Sequence, residues 1–409
     1  MVLKAYGRLL EPRGTLRLTS MMLLARIPIG IFGLAIVLLV KEHSGSFADA
    51  GAVSAAWAIG AGVVGPVQGR LVDRFGQPAV LIPSTLLNAA AIVGVVIVAE
   101  SDGALWLLCA LAAVGGAGLP PIGACMRSVW ADVFADDPHA RNTAYSFDSV
   151  VAELFFIVGP LLTTVLAALG SPSLALLVGA ALSLVGTLGF ATGELARKWR
   201  SGHDVRPRAG ALSSRGMRTL MIATIPTGTS FGVLEVALPA FAIKEGEDAA
   251  LAGILLSAMA IGSIAGGLWY GARSWSGPVV ARYLWLHVIF TLLLLPMLAA
   301  GSMVQMGVAM VLAGLFLPPT AAAGYLLIDR ITPPGTMTEA TTWAMTSNVA
   351  GAAIGAAIGG IVIQHAGVEW AFALAFAGPA LGTAIAVLFR RDFEPVAAEA
   401  AGAQVPASR

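Results

Sequence analysis

The chain repeats itself at a spacing of about 198 residues, and this repeat constrains the fold more than any other feature of the sequence. Residues 25–30 return as residues 223–228, with Ala, Ile, Pro and Gly in the same places, and residues 119–121 return as 317–319. Each match is short, but the common order and spacing indicate a duplicated chain. In a membrane protein, such a duplication predicts two similar helix bundles that face each other across a binding site.

The composition predicts that the solvent of this protein is lipid. Of its 409 residues, 57% are hydrophobic and only 11% are charged, whereas a soluble domain carries about 25% charged residues. A net charge of +1 argues against a nucleic-acid partner and favours neither sign of solute. Two cysteines in one apolar stretch make neither a disulfide framework nor a metal site.

Twelve apolar stretches are long enough to cross a bilayer, which takes roughly 20 residues each. We therefore predict an all-α membrane protein of twelve transmembrane helices in two six-helix bundles. The first stretch, residues 18–40, is too long for the core of a signal peptide and is expected to be retained. The predicted segments are bundles at 1–193 and 218–392, a basic linker at 194–217 and a disordered tail at 393–409.

The basic residues predict the orientation. The side that carries both termini and the linker also carries Arg70, Arg74, Arg141, Arg273, Arg330, Arg390 and Arg391, whereas the opposite loops carry Lys41 and Lys244. Positive charge marks the cytoplasmic side, so both termini are predicted to lie in the cytoplasm of a cell-membrane protein.

Prolines at matched positions predict interrupted helices in both halves: Pro28 in the first span, Pro120 in the fourth, Pro226 in the seventh and Pro318 in the tenth. A helix interrupted at membrane depth is tolerated only against protein or a water-filled cavity. These four helices are therefore expected to line the central site.

The loop after the second span reads Gly69-Arg70-Leu71-Val72-Asp73-Arg74-Phe75-Gly76-Gln77. It resembles the signature loop of the major facilitator superfamily, Gly-x-x-x-Asp-Arg-x-Gly-Arg, and it stands between the spans where that family has it. Gln77 departs from the usual basic residue. The resemblance implies an alternating-access transporter in which Gly69, Asp73, Arg74 and Gly76 form a cytoplasmic gate. Asp73 is then expected to latch onto the amino end of the eleventh helix, near Thr338, whose partial charge is positive.

Other family features are weaker. Gly159-Pro160 resembles part of a motif of antiporter members, but the further glycines of that motif are missing. The fourth span lacks a mid-helix Arg that many drug/proton antiporters have, since Arg127 stands near its cytoplasmic end. Both departures argue against multidrug efflux.

Four ionisable residues at membrane depth are candidates for proton coupling or substrate binding, because such groups are costly in lipid and face a cavity or a partner. Arg26 and Glu153 lie at comparable depths in the first and fifth spans, which are neighbours by the resemblance, so we expect an ion pair between them. Asp148 is expected at the cytoplasmic mouth, and five residues place it about 140° from Glu153 around a helix. Glu235 lies deep in the seventh span and is a candidate proton or substrate site. His287 is expected to be structural.

The favoured function is a secondary transporter, proton-coupled, that exports a small organic or amphipathic solute as a monomer surrounded by lipid. Uptake of a sugar, nucleoside or similar metabolite is the alternative within the same class. A non-transporting sensor or lipid-handling protein is the alternative of another class. The sequence contains no phosphate-binding loop, triad or metal cluster, so we predict no enzyme activity and no cofactor.

Overall fold

The computed structural model describes residues 11–199, 210–271, 275, 277–333 and 337–393, and all statements below concern these residues. Fifteen α-helices follow one another, and we number them in chain order. Those of the first half are α1 Thr15–Arg26, α2 Ile29–Ser44, α3 Phe47–Phe75, α4 Gln77–Glu100, α5 Leu105–Ala117, α6 Ile122–Val133, α7 Pro138–Leu169, α8 Pro172–Ala191 and the short α9 Glu194–Lys198. Those of the second half are α10 Arg215–Lys244, α11 Ala252–Gly271, α12 Val279–Leu292, α13 Met303–Ile331, α14 Met337–Ala366 and α15 Val368–Leu388.

The predicted spans correspond to these helices. Eleven helical stretches in the described part of the chain are long and apolar enough to cross a membrane, with α1–α2 and α5–α6 each counted as one. The fifth predicted span is α7, whose apolar described portion is the shorter Leu154–Leu169. The predicted linker and tail fall mostly outside the described residues, so their boundaries stay predictions.

The proline interruptions differ between the two halves. The first span breaks between α1 and α2 at Pro28, and the fourth breaks between α5 and α6 at Pro120-Pro121. In contrast, α10 runs through Pro226 and α13 runs through Pro318-Pro319 without a break. The expectation of matched interruptions is therefore wrong for the second half.

A threonine follows the proline in both continuous helices. Thr227 and Thr320 donate to the carbonyl four residues back, Ala223 O at 3.0 Å and Phe316 O at 2.7 Å. The first half has isoleucine at both matching positions. However, α3 and α15 run through Pro66 and Pro379 without a threonine after the proline, so the threonines alone do not explain the difference between the halves.

Two six-helix bundles pack against each other at one end only. A single hydrophobic core joins both bundles at the end away from the chain termini, and it contains Val37, Ala50, Val236 and Phe372. Towards the termini each bundle has a core of its own, built around Trp130 in the first half and Leu327 in the second. The bundles are thus joined at one end and separate at the other.

Small residues allow the helices to approach closely, as is common between membrane helices. Inside the first half, a methyl group on Gly30 would stand 2.2 Å from Phe155 O of α7. In the run 351–360, Gly351 and Gly355 pack on α10 of their own half, and Gly360 packs on Phe47 O of α3 in the other half. The small residues of this run therefore pack both within the second half and against the first half.

Candidate functional site

A buried cluster of three charges joins α1, α6 and α7. Asp148 accepts a hydrogen bond from Arg26 on one carboxylate oxygen and from Arg127 on the other, the second at 2.9 Å. The side chains of Arg26 and Asp148 are only 10% and 6% exposed, whereas that of Arg127 is 48% exposed. Among the described side chains, one carboxylate thus serves two arginines.

The cluster lies more than two helical turns from the start of α1 and of α7. Arg26 stands at the end of α1, eleven residues and roughly 16 Å from its start, and its guanidinium lies over the Phe155 ring of α7 at 5.2 Å. Asp148 is ten residues, or roughly 15 Å, into α7, because the helix begins at Pro138. Asp148 is thus the partner of Arg26, and its expected place at the cytoplasmic mouth stays a prediction. The side chain of Glu153 lies outside the described part, so its pairing with Arg26 stays a prediction.

Glu235 lies where the two halves meet. Its carboxyl group interacts with the hydroxyl of Ser54 on α3, and a methyl group on Gly33 of α2 would stand 1.9 Å from its Oε1. Ser54 is buried and Glu235 is partly buried. Ion pairs of the described residues join Arg26 and Arg127 to Asp148, Lys198 to Glu194, and Lys244 to Glu369, and none includes Glu235. A carboxyl group that forms none of these ion pairs thus lies at the contact between the halves.

Hydroxyl groups form the other polar contacts of this seam, by which we mean the contacts between the halves: those of α10 with α2 and α3, of α3 with α14, and of α7 with α11 and the residues just before it. Thr164 donates to Ala250 O at 2.5 Å, and Ser257 donates to Ile157 O at 2.9 Å. Each hydroxyl also lies near a carbonyl of its own helix, Pro160 O at 3.1 Å and Gly253 O at 2.7 Å. The seam is therefore held by few hydrogen bonds and by close packing.

The predicted gate occupies the last turn of α3 and the turn into α4. Gly76 adopts φ +86°, which glycine tolerates without strain, and Arg74 lies over the Phe75 ring at 5.1 Å. Gln77 is fully buried and donates to Cys125 O at 3.0 Å, so the departure from a basic residue ties this loop to α6. The side chains of Asp73 and Thr338 lie outside the described part, and the latch stays a prediction.

His287 packs within the second half. It is buried in α12, and its Nε2 lies 3.1 Å from the Thr227 hydroxyl of α10. Both residues belong to one bundle, which fits the structural role expected for this histidine. Arg127 and Ser54 are the two residues that sequence reasoning did not place in a site. Arg127 was discounted by its distance from mid-helix, although an arginine side chain is long enough to reach a partner deeper in the membrane.

The fold is that of known membrane transporters. A crystal structure of the nucleoside transporter NupG superposes with a TM-score of 0.73 at 14% identity, covering 92% of this chain and 98% of that one. A bacterial homolog of the human lysosomal transporter Spinster, in an inward-facing and unoccupied conformation, gives 0.73 at 14% identity, covering 94% and 98%. A bacterial homologue of the iron transporter ferroportin, in an inward-facing state, gives 0.69 at 15% identity, covering 91% and 97%.

Comparison with curated protein sequences returned no match. The family model described as Major Facilitator Superfamily matches residues 18–304 and 220–408, which together cover nearly the whole chain and both copies of its internal repeat. With twelve spans, two facing bundles and a transporter fold in agreement, the chain belongs to the major facilitator superfamily.

Proposed function

We propose that this transporter is proton-coupled, that Glu235 binds the coupling proton, and that the protein exports a small organic solute across the cell membrane with both termini in the cytoplasm. The observation that supports the proposal is the position of Glu235. Its carboxyl group lies at the contact between the halves, touches Ser54 and Gly33, and belongs to none of the ion pairs of the described residues.

Closing the seam costs more free energy when Glu235 is ionised than when it is protonated. An ionised carboxylate taken out of water without a cation is costly, whereas a protonated carboxyl group that keeps a hydrogen bond is much less so. Protonation of Glu235 therefore favours the closed seam, and loss of the proton favours its opening. A coupling ion must distinguish two conformations in this way, because a ligand shifts an equilibrium only by its differential affinity.

The effect of protonation on closing also sets the directions in which protons and solute move. When the seam is open to the outside, Glu235 takes up an external proton and the seam can close. The bundles are then separate on the side of the termini, where the proton leaves and the solute binds. The seam reopens with the solute, which is released outside. One proton enters for each solute exported.

The seam step can be measured without knowing the solute. In a protein without native cysteines, a cysteine at Ala356, which is 2% exposed and packs against Gly51 of α3, reacts with an impermeant thiol reagent only when the seam opens. We expect labelling of Ala356→Cys to accelerate as pH rises, relative to a cysteine at the exposed Gly246, which corrects for the thiolate fraction. Glu235→Gln should abolish this pH dependence and leave labelling slow.

The matched control is Glu247→Gln, because Glu247 is an exposed carboxylate on the same side of the protein. It should retain the pH dependence of the parent. An unchanged pH dependence in Glu235→Gln would remove Glu235 from the proton site. Uptake of a sugar or nucleoside is distinguished by the direction of solute movement in vesicles with an acidic exterior. A sensor or lipid-handling protein would move no solute in either direction.

A further inference from the structure

In the charge cluster of α1, α6 and α7, the described side chains provide one carboxylate for two arginines. Asp148 uses each of its two oxygens for a different arginine, so the three side chains carry a net charge of +1. Arg127 is the more exposed of the two cations. Its guanidinium has five N–H donors, and the bond to Asp148 uses Nη1.

Both guanidinium groups converge on Gly123 of α6. A methyl group at this position would stand 3.4 Å from Arg26 Nη2 and 3.5 Å from Arg127 Nη1, so these two nitrogens are at most 6.9 Å apart. Since residue 123 has no side chain, both guanidinium groups can lie close against α6 and near each other. An oxyanion with two oxygens can accept from both arginines across such a gap, at charge-assisted distances of about 2.8 Å.

Arg127 is directed towards α7, where it donates to Asp148. The backbone carbonyl of Cys125 accepts a hydrogen bond from Gln77, which turns that side of α6 towards α4. Arg127 follows two residues later, about 200° around the helix, and therefore points away from α4 towards α1 and α7. Asp148 precedes the seam carbonyl of Ile157 by nine residues, so the cluster lies about 13 Å from the seam, on the side where the bundles are separate.

The second half has no equivalent of this cluster. At the repeat positions of Arg26, Arg127 and Asp148 it carries Thr224, Tyr325 and Ala344. The charges thus belong to the first half alone and were not required by the duplicated scaffold.

We propose that Arg26 and Arg127 bind the anionic group of the transported solute, so that the substrate class is a small organic anion with a single negative charge, such as a sulfonate, carboxylate or phosphate diester. The inference rests on the proposed transport function, but anion binding by the two arginines does not depend on proton coupling. Asp148 positions both arginines.

The probe is benzenesulfonate, which stays ionised at every pH of interest. We expect it to raise the unfolding temperature of the purified protein in detergent, at constant ionic strength. Its neutral isostere benzenesulfonamide and the cation benzyltrimethylammonium should not. Arg127→Gln should weaken the apparent affinity for benzenesulfonate at least tenfold. Arg127→Lys should retain part of it, because lysine supplies the charge without the fork of donors.

Two further variants separate anion binding from a purely structural ion pair. Arg218→Gln, which removes an exposed arginine of α10, should bind the probe as the parent does. Asp148→Asn leaves both arginines without a counter-charge, so benzenesulfonate should bind more tightly and stabilise this variant more than the parent. A structural pair alone predicts no such rescue.

Equal stabilisation by benzenesulfonate and benzenesulfonamide, or an Arg127→Gln affinity equal to that of the parent, would overturn the proposal. So would the absence of any shift in the parent protein at saturating benzenesulfonate. If Asp148→Asn does not fold, the benzenesulfonate affinity of Arg127→Gln still tests the proposal. The exposed side chain of Arg127 can be replaced without leaving a buried charge unpaired. The pH dependence of seam labelling does not depend on any of these results, so the two proposals fail separately.

Discussion

Removal of Asp148 should be far more damaging than removal of Arg26, although the two form one ion pair. Asp148→Asn leaves Arg26, with a side chain only 10% exposed, as a buried cation without a counter-charge beside Arg127. Breaking a buried pair in this way costs about 3–5 kcal/mol. Arg26→Leu instead leaves Asp148 bonded to Arg127 at 2.9 Å, so the cost is about 1.5 kcal/mol, the lower end for a hydrogen bond to a charged group.

The double variant Arg26→Leu with Asp148→Asn completes a double-mutant cycle. It retains only Arg127, which is 48% exposed and can turn towards water, so we expect it to be more stable than Asp148→Asn alone. The assay is reversible unfolding in mixed micelles by titration with sodium dodecyl sulfate. Equal costs for the two single variants, with additive effects in the double variant, would contradict the shared role of Asp148.

Three further predictions follow from other parts of the molecule. Gly33→Ala should displace the Glu235 carboxyl group and make seam labelling faster and less dependent on pH. The control Gly65→Ala, in open space on α3, should change neither the rate nor its pH dependence. Unchanged labelling in Gly33→Ala would contradict the close approach of Gly33 to Glu235. Asp73→Asn should shift the protein towards inward-facing states and slow transport with little loss of folded protein, and normal transport would remove Asp73 from the gate. Cysteines in the linker 194–217 should resist an impermeant thiol reagent in intact cells while one at Gly246 reacts, and the reverse pattern would overturn the topology.

The architecture could be predicted from the sequence because lipid leaves few alternatives. A backbone at membrane depth must satisfy its own hydrogen bonds, so twelve apolar stretches predict twelve helices and the repeat predicts two bundles. The signature loop also indicated the family. Its last glycine is Gly76, whose φ of +86° glycine adopts without strain.

The pairing of the buried charges could not be predicted in the same way. Apolar stretches locate the hydrocarbon layer, but they do not show which side chains of neighbouring helices meet. Arg26 and Asp148 lie on α1 and α7, 122 residues apart in the chain, and only the packing of these helices shows that they pair. Similarly, matched prolines do not predict whether a helix breaks, since α1–α2 and α5–α6 are interrupted whereas α10 and α13 are continuous.

The hydroxyl groups of the seam have a consequence for how readily the bundles can part. Thr164 and Ser257 each have two acceptors within reach, one on the facing bundle and one on their own helix. When the bundles separate, each hydroxyl loses one acceptor and keeps the other, so no buried donor is left without a partner, which is the expensive outcome for a polar group. The hydrogen bonds across the seam thus favour one alignment of the two bundles but add little to the free-energy barrier to opening. Opening is then governed by the packing of small residues and by the charge on one carboxyl group.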